Sequence, residues 1–140
     1  MTAKKLLLVD DEIHILRATE FKLAKAGFDV RCAGDGVEAW DQIQQDAPDM
    51  LITDLNMPRM DGLKLVKLLR EDERFASIPV VMLTAKGYEV ANELIRDEYR
   101  VARVMTKPFS PRELLALVQS LLPAEDDAAN ETSLAQTSDS

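Results

Sequence analysis

Three carboxylates stand in a row at Asp10, Asp11 and Glu12, directly after the apolar run LLLV at 6–9. Side-by-side acids repel and raise one another's pKa values unless something positive sits between them. A further acid, Asp54, closes the apolar run MLIT at 50–53. Thr84 follows IPVVML (78–83), and Lys107, itself followed by Pro108, comes just after VARVM (101–105). A divalent cation would relieve converging carboxylates, and all-oxygen ligands suit magnesium. Lys107 adds a fixed positive charge and Thr84 a hydroxyl donor. A carboxylate nucleophile, a metal, a cation and a hydrogen-bond donor are the parts of a phosphoryl-transfer site. Alone, each of these residues reads as an ordinary polar end to a buried strand. Found together at strand ends they read as a site, because a motif takes its meaning from structural context.

The elements that must position them alternate along the chain. KKLLLV (4–9) reads as a strand buried on both faces, and DVRCA (29–33), MLIT (50–53), IPVVML (78–83) and VARVM (101–105) read as further strands. Between them lie amphipathic segments. Residues 12–26 predict a helix with Ile15, Ala18, Thr19, Leu23 and Ala26 on its apolar stripe, stopped by Gly27. Residues 37–45 predict a second helix facing inward through Val37, Trp40, Ile43 and Gln44, with Trp40 a core residue. Further helices are expected at about 63–72 and 88–99. The last has a clear start in Ser110, Pro111 and Glu113: an N-cap, a proline in the first turn and a capping-box acid. Leu114, Leu115, Val118, Leu121 and Leu122 form its apolar face, and Pro123 ends it. Short crossover units force parallel strands with helices on both faces. The expected fold is α/β, a flavodoxin-like (βα)5 doubly wound sheet of order 2-1-3-4-5. In that order the strands ending at Asp10 and Asp54 are neighbours, so Asp10, Asp11 and Asp54 converge at one edge.

With 46% hydrophobic and 30% charged residues in 140, the chain fits one packed domain. Residues 1–123 are expected to form it, and the polar stretch AEDDAANETSLAQTSDS at 124–140 to be a disordered tail. The formal net charge of −8 argues against direct nucleic-acid binding, which needs a basic face. Arg96, Arg100 and Arg103 make one edge basic; a solvated face is the favoured reading and a dock for an acidic partner the sharper one. Cys32 is the one cysteine, which leaves no internal disulfide, and its apolar context predicts a buried strand thiol. No signal pattern or membrane-length apolar run is visible, so membrane insertion is not expected and a cytoplasmic location is.

VDDE at 9–12, DLNMPRMDG at 54–62, LTA at 83–85 and TKPFS at 106–110 together resemble the receiver domain of bacterial two-component response regulators. The likeness covers about residues 4–122 and implies a stand-alone, chemotaxis-regulator-like receiver. It implies that Asp54 is the phosphoacceptor for a sensor histidine kinase or phosphotransfer protein. It places magnesium on Asp11, Asp54 and the backbone carbonyl of Asn56, with Asp10 holding it through water. Lys107 would pair with phosphate oxygens and Thr84 would move to hydrogen-bond the phosphoryl group. Output would run to a downstream protein through the face built from the 88–99 helix, the 101–105 strand and the last helix. The chain would catalyse only its own phosphorylation and dephosphorylation, and the Lys107–Pro108 bond would be cis.

Two features depart from that family's pattern. Val104 stands where many members have an aromatic residue that follows the threonine, and valine is stiff at χ1. No glycine precedes the fifth strand, so the 88–99 helix is expected to run long or end irregularly. Asn56 and Lys86 hold the two positions that tune phosphoryl lifetime in the family, and His14 is expected to be exposed. Three other functions compete. A phosphatase of the haloacid dehalogenase type would want D-x-D, but Asn56 gives D-L-N. A flavin carrier would want a Ser/Thr/Gly-rich phosphate loop where DDE stands. A degenerate receiver that only scaffolds finds no support in the site residues, which are all present here, though Val104 leaves it open as a partial case.

Overall fold

The computed structural model describes residues 3–57, 59–85 and 96–122. Strands β1 (Lys5–Val9), β2 (Asp29–Ala33), β3 (Met50–Asp54), β4 (Val80–Thr84) and β5 (Arg103–Thr106) form one parallel sheet in the order β2-β1-β3-β4-β5. Helices α1 (Ile13–Lys25), α2 (Gly36–Gln45), α3 (Gly62–Glu71) and α5 (Pro111–Leu121) cover it, and a helical stretch at 96–99, α4, precedes β5. This is the doubly wound order expected from the alternation of apolar runs.

The central strands are apolar on both faces because both faces are covered. Leu7, Val9, Leu51, Val80 and Met82 join Ala39, Ile43, Leu65, Val66 and Leu69 in the core beneath α2 and α3. Leu6, Leu8, Met50, Ile52, Val81 and Leu83 join Leu16, Leu23, Leu114 and Val118 beneath α1 and α5. Strand residues thus alternate between two cores, as the two-residue pleat requires. Trp40 meets Phe75 edge to face at 5.8 Å on the α2–α3 side, half-buried against the core rather than inside it as expected.

Several sequence expectations shift in detail. α1 buries Leu16, Thr19 and Leu23, leaving Ala18 exposed, because the helix is rotated to bring its larger leucine inward. α2 buries Gly36, Ala39 and Ile43, and Gln44 faces solvent. β4 starts at Val80, since Pro79 has no N–H for the ladder and offers only its carbonyl, to Leu51. β5 starts two residues late, after a buried Val101. Gly27 ends α1 with φ 106°, and the Ser110–Glu113 capping box is formed. Most of the 88–99 helix, Lys86, Pro123 and the 124–140 tail lie outside the described residues.

The end of α4 shows how the missing glycine is replaced. Arg100 takes the left-handed conformation itself, at φ 54°, and the Val101 amide donates back to the Arg96 carbonyl. Arg70 of α3 holds this junction. Its guanidinium donates to the carbonyls of Tyr99, Arg100, Ala76 and Ile78 at 2.9–3.1 Å. One side chain thereby satisfies carbonyls that the end of α4 and the approach to β4 would otherwise leave open.

Candidate functional site

A parallel sheet delivers the carboxyl ends of all its strands to one edge, where ligand sites of such folds lie. Asp10 follows β1, Asp54 and Thr84 end β3 and β4, and Lys107 follows β5. The register pairs Leu8 with Ile52 and Val9 with Thr53, so the next step sets Asp10 beside Asp54. Thr84 is paired with Thr106, and the Lys107 amide donates to the Thr84 carbonyl at 2.7 Å. The Lys107–Pro108 peptide is cis.

Lys107 is the centre of the cluster. Its Nζ lies 2.7 Å from a Glu12 oxygen, 2.9 Å from Asp10 Oδ2 and 3.3 Å from Asp54 Oδ2. Asp10 and Asp54 are buried, at 2% and 6% exposure, while Glu12 reaches in from solvent. Asp10 Oδ1 also accepts the Glu12 amide at 2.9 Å, which fixes the turn out of β1. Gly62 closes the site from behind: a Cβ there would fall 2.3 Å from the Asp54 carbonyl oxygen. The start of α3 therefore packs directly on the backbone of Asp54.

Burial sets the electrostatics. Asp54 is pushed up to about 6, first by desolvation and then by the Asp10 charge, with Lys107 opposing. Asp10 is also raised, chiefly by burial, against its bonds to the Glu12 amide and Lys107. Burial works against the Lys107 ammonium, but Glu12, Asp10 and Asp54 outweigh it and hold the lysine firmly charged. Thr84 is fully buried, and its Oγ1 has no hydrogen-bond partner among the described residues. A buried hydroxyl left without a partner is costly unless a ligand oxygen is meant to meet it.

Asp10, Asp54, Thr84 and Lys107 thus come together. Asp11 is exposed, and the carboxylates whose oxygens lie within 4.8 Å of one another are those of Asp10, Glu12 and Asp54. Asn56 is exposed in the loop after β3. Glu12 was the residue missed. No local pattern marked it: the turn out of β1, fixed by the Glu12 amide on Asp10 Oδ1, is what carries Glu12 to Lys107. The side chain engages the lysine and makes no capping bond to the helix it precedes. The donor set is all oxygen with more negative than positive charge, which fits a hard divalent cation.

The family model of the response regulator receiver domain matches residues 6–119. Two curated proteins are similar in sequence. The alkaline phosphatase synthesis transcriptional regulatory protein PhoP of Bacillus subtilis is 39% identical over 130 residues, 90% of this chain and 51% of that protein. Response regulator Rre1 of Synechocystis is 39% identical over 135 residues, 94% of this chain and 58% of that protein. The chain thus spans about half the length of the curated relatives it matches. The structure of chemotaxis response regulator CheY4 of Vibrio cholerae superposes with a TM-score of 0.78 at 33% identity, covering 86% of this chain and 100% of that one.

Proposed function

This chain belongs to the response regulator receiver domain family of two-component signalling, and from that we propose that Asp54 is its phosphoacceptor. The observation that carries the reading is Lys107, whose ammonium lies within 3.3 Å of Asp54 and closer still to Asp10 and Glu12, beside a Thr84 hydroxyl without a partner among the described residues. The donor would be a phosphohistidine on a sensor kinase or phosphotransfer protein. An Asp54 oxygen attacks phosphorus in line. The new P–O bond forms as the P–N bond to imidazole breaks, and the departing nitrogen takes a proton from solvent. Magnesium held by Asp10, Asp11, Asp54 and the Asn56 carbonyl would neutralise the carboxylates and the incoming phosphoryl oxygens.

This chain's own residues do the rest. Lys107 keeps a positive charge beside the oxygens of the transferred group. Thr84 offers its hydroxyl, which has no partner to give up among the described residues. Phosphorylation adds about −1.5 to −2 charges and three strong acceptors at Asp54. Lys107 then exchanges carboxylate partners for phosphate oxygens, and Thr84 is drawn toward the group. The output surface in this reading is the face of α4, β5 and α5, which would pass the change to a downstream protein. Val104 is half-buried against the core beneath α2 and α3, so the switch on this face runs through Thr84 rather than a swinging ring.

The test is intact-protein mass spectrometry after incubation with acetyl phosphate, with and without magnesium, on wild type and Asp54→Asn. One phosphoryl increment that needs magnesium and vanishes in the variant supports the reading. A folded wild type that binds magnesium but gains no increment would instead mark a scaffolding receiver.

A further inference from the structure

We propose that the Arg59–Asp35 ion pair is a positioning clamp that sets how tightly the site holds its divalent cation, by fixing the loop between β3 and α3 that carries Asn56. The inference rests on the reading of Asp54 and Asn56 as cation ligands. Arg59 Nε and Nη2 lie 2.9 and 2.8 Å from Asp35 Oδ2. Asp35 Oδ1 meanwhile accepts the Glu38 amide at 2.8 Å and caps α2. One carboxylate therefore joins the β3–α3 loop to the rigid start of a neighbouring helix. Arg59 pays a backbone penalty to be there, since its φ is 67°, a region that disfavours every residue with a Cβ. Such an outlier persists only where its surroundings over-determine it, and it is a pointer to function.

The loop is held at other points as well. A Cβ on Gly36 would lie 2.4 Å from the Met60 carbonyl oxygen, so the loop backbone sits directly on the turn that carries Asp35. At its base, the Gly62 amide donates to the Leu55 carbonyl at 2.8 Å. Asn56 lies between these anchors, next to the base and three residues from the clamp, and is exposed. Its carbonyl gains little orientation from its own side-chain packing. The anchors on either side, Leu55 to Gly62 and Arg59 to Asp35, supply it, and a ligand held in place before the metal arrives binds it more tightly.

The clamp is tested by calorimetric titration of magnesium into the full chain as wild type, Asp35→Asn, Arg59→Asn and the double variant. Asparagine caps a helix as well as aspartate and tolerates left-handed backbone, so both changes keep the local fold. Arg59 is 60% exposed and Asp35 16%, so the pair is a modest one. Each single variant is expected to raise the magnesium Kd about two- to fivefold, the range an exposed ion pair converts to. The double variant should rise no further than either single one, and raising the salt concentration should shrink the wild-type advantage. Denaturant midpoints of the metal-free proteins should stay close together, while amide exchange at Asn56 and Met57 speeds up. Single variants that bind magnesium as wild type does, or two effects that simply add, overturn the clamp and leave the site intact. A wild type with no Asp54-dependent magnesium binding overturns the site and the clamp together.

Discussion

Lys107 compensates three acids with one charge, so removing it leaves Asp10 and Asp54 buried and unpaired. Lys107→Met should lower stability by about 3–5 kcal/mol at pH 8, the usual cost of breaking a buried ion pair. Because protonation relieves unpaired carboxylates, that deficit should narrow as the pH falls toward 5; a deficit that is flat with pH would count against it. Asp54 carries the opposite sign from a stabilising acid. Its folded value of about 6 lies above the ordinary 3.8, so ionising it in the fold costs energy. The cost is absent below about pH 4, where both states are protonated, grows between 4 and 6, and is complete above 6. Metal-free Asp54→Asn should therefore be more stable than wild type above pH 6, by on the order of 2–3 kcal/mol, with the gain gone near pH 4. Denaturant titrations across that range in a chelator would read it directly. Cys32 is predicted inert, since burial pushes its thiol up to about 11.

At the scale of elements, the junction between α4 and β5 depends on a side chain from elsewhere. Arg70 satisfies four carbonyls from α3, and no shorter or uncharged residue can reach all of them. Arg70→Met keeps the aliphatic stem but strands those acceptors. It should cost about 2–4 kcal/mol, measured by urea unfolding. Hydrogen exchange should show the loss concentrated at 96–103. A uniform loss across the sheet would instead mean that Arg70 supports the global core. Arg96, Arg100 and Arg103 are all exposed, as both the solvated-face and the docking reading require.

The whole molecule couples these pieces, because the site is assembled from the ends of four strands that fold as one sheet. A cation that binds only the assembled edge must stabilise the entire fold. At ten times its Kd, magnesium should add about 1.4 kcal/mol to wild-type stability. The same addition to Asp54→Asn should do much less. Equal gains in the two proteins would mean that the ion binds elsewhere. Among the described residues no helix is long and apolar enough to cross a membrane.

Much of this was legible beforehand, for physical reasons. Runs such as LLLV and VVML, apolar without alternation, identify strands covered on both faces, and short crossovers make those strands parallel. From there the strand ends name Asp10, Asp54, Thr84 and Lys107 without any structure. Helix faces were less legible. Ala18 and Gln44 fit the helical period as well as the residues chosen instead, and only packing against the sheet set the rotation of α1 and α2. The strand start at Val80 was settled by Pro79, which has no amide to give the ladder. The sequence by itself thus determined the parallel strands and the acids that end them, because hydrophobic period and chain connectivity are local properties, and the pairing of strands fixed their order. Only the tertiary structure decided that Glu12 rather than Asp11 meets Lys107, that Arg100 takes the place of a missing glycine while Arg70 holds the junction, and that Arg59 reaches Asp35. Each of those is a contact between side chains distant in sequence or pointing by a chosen rotamer, and no local pattern specifies it.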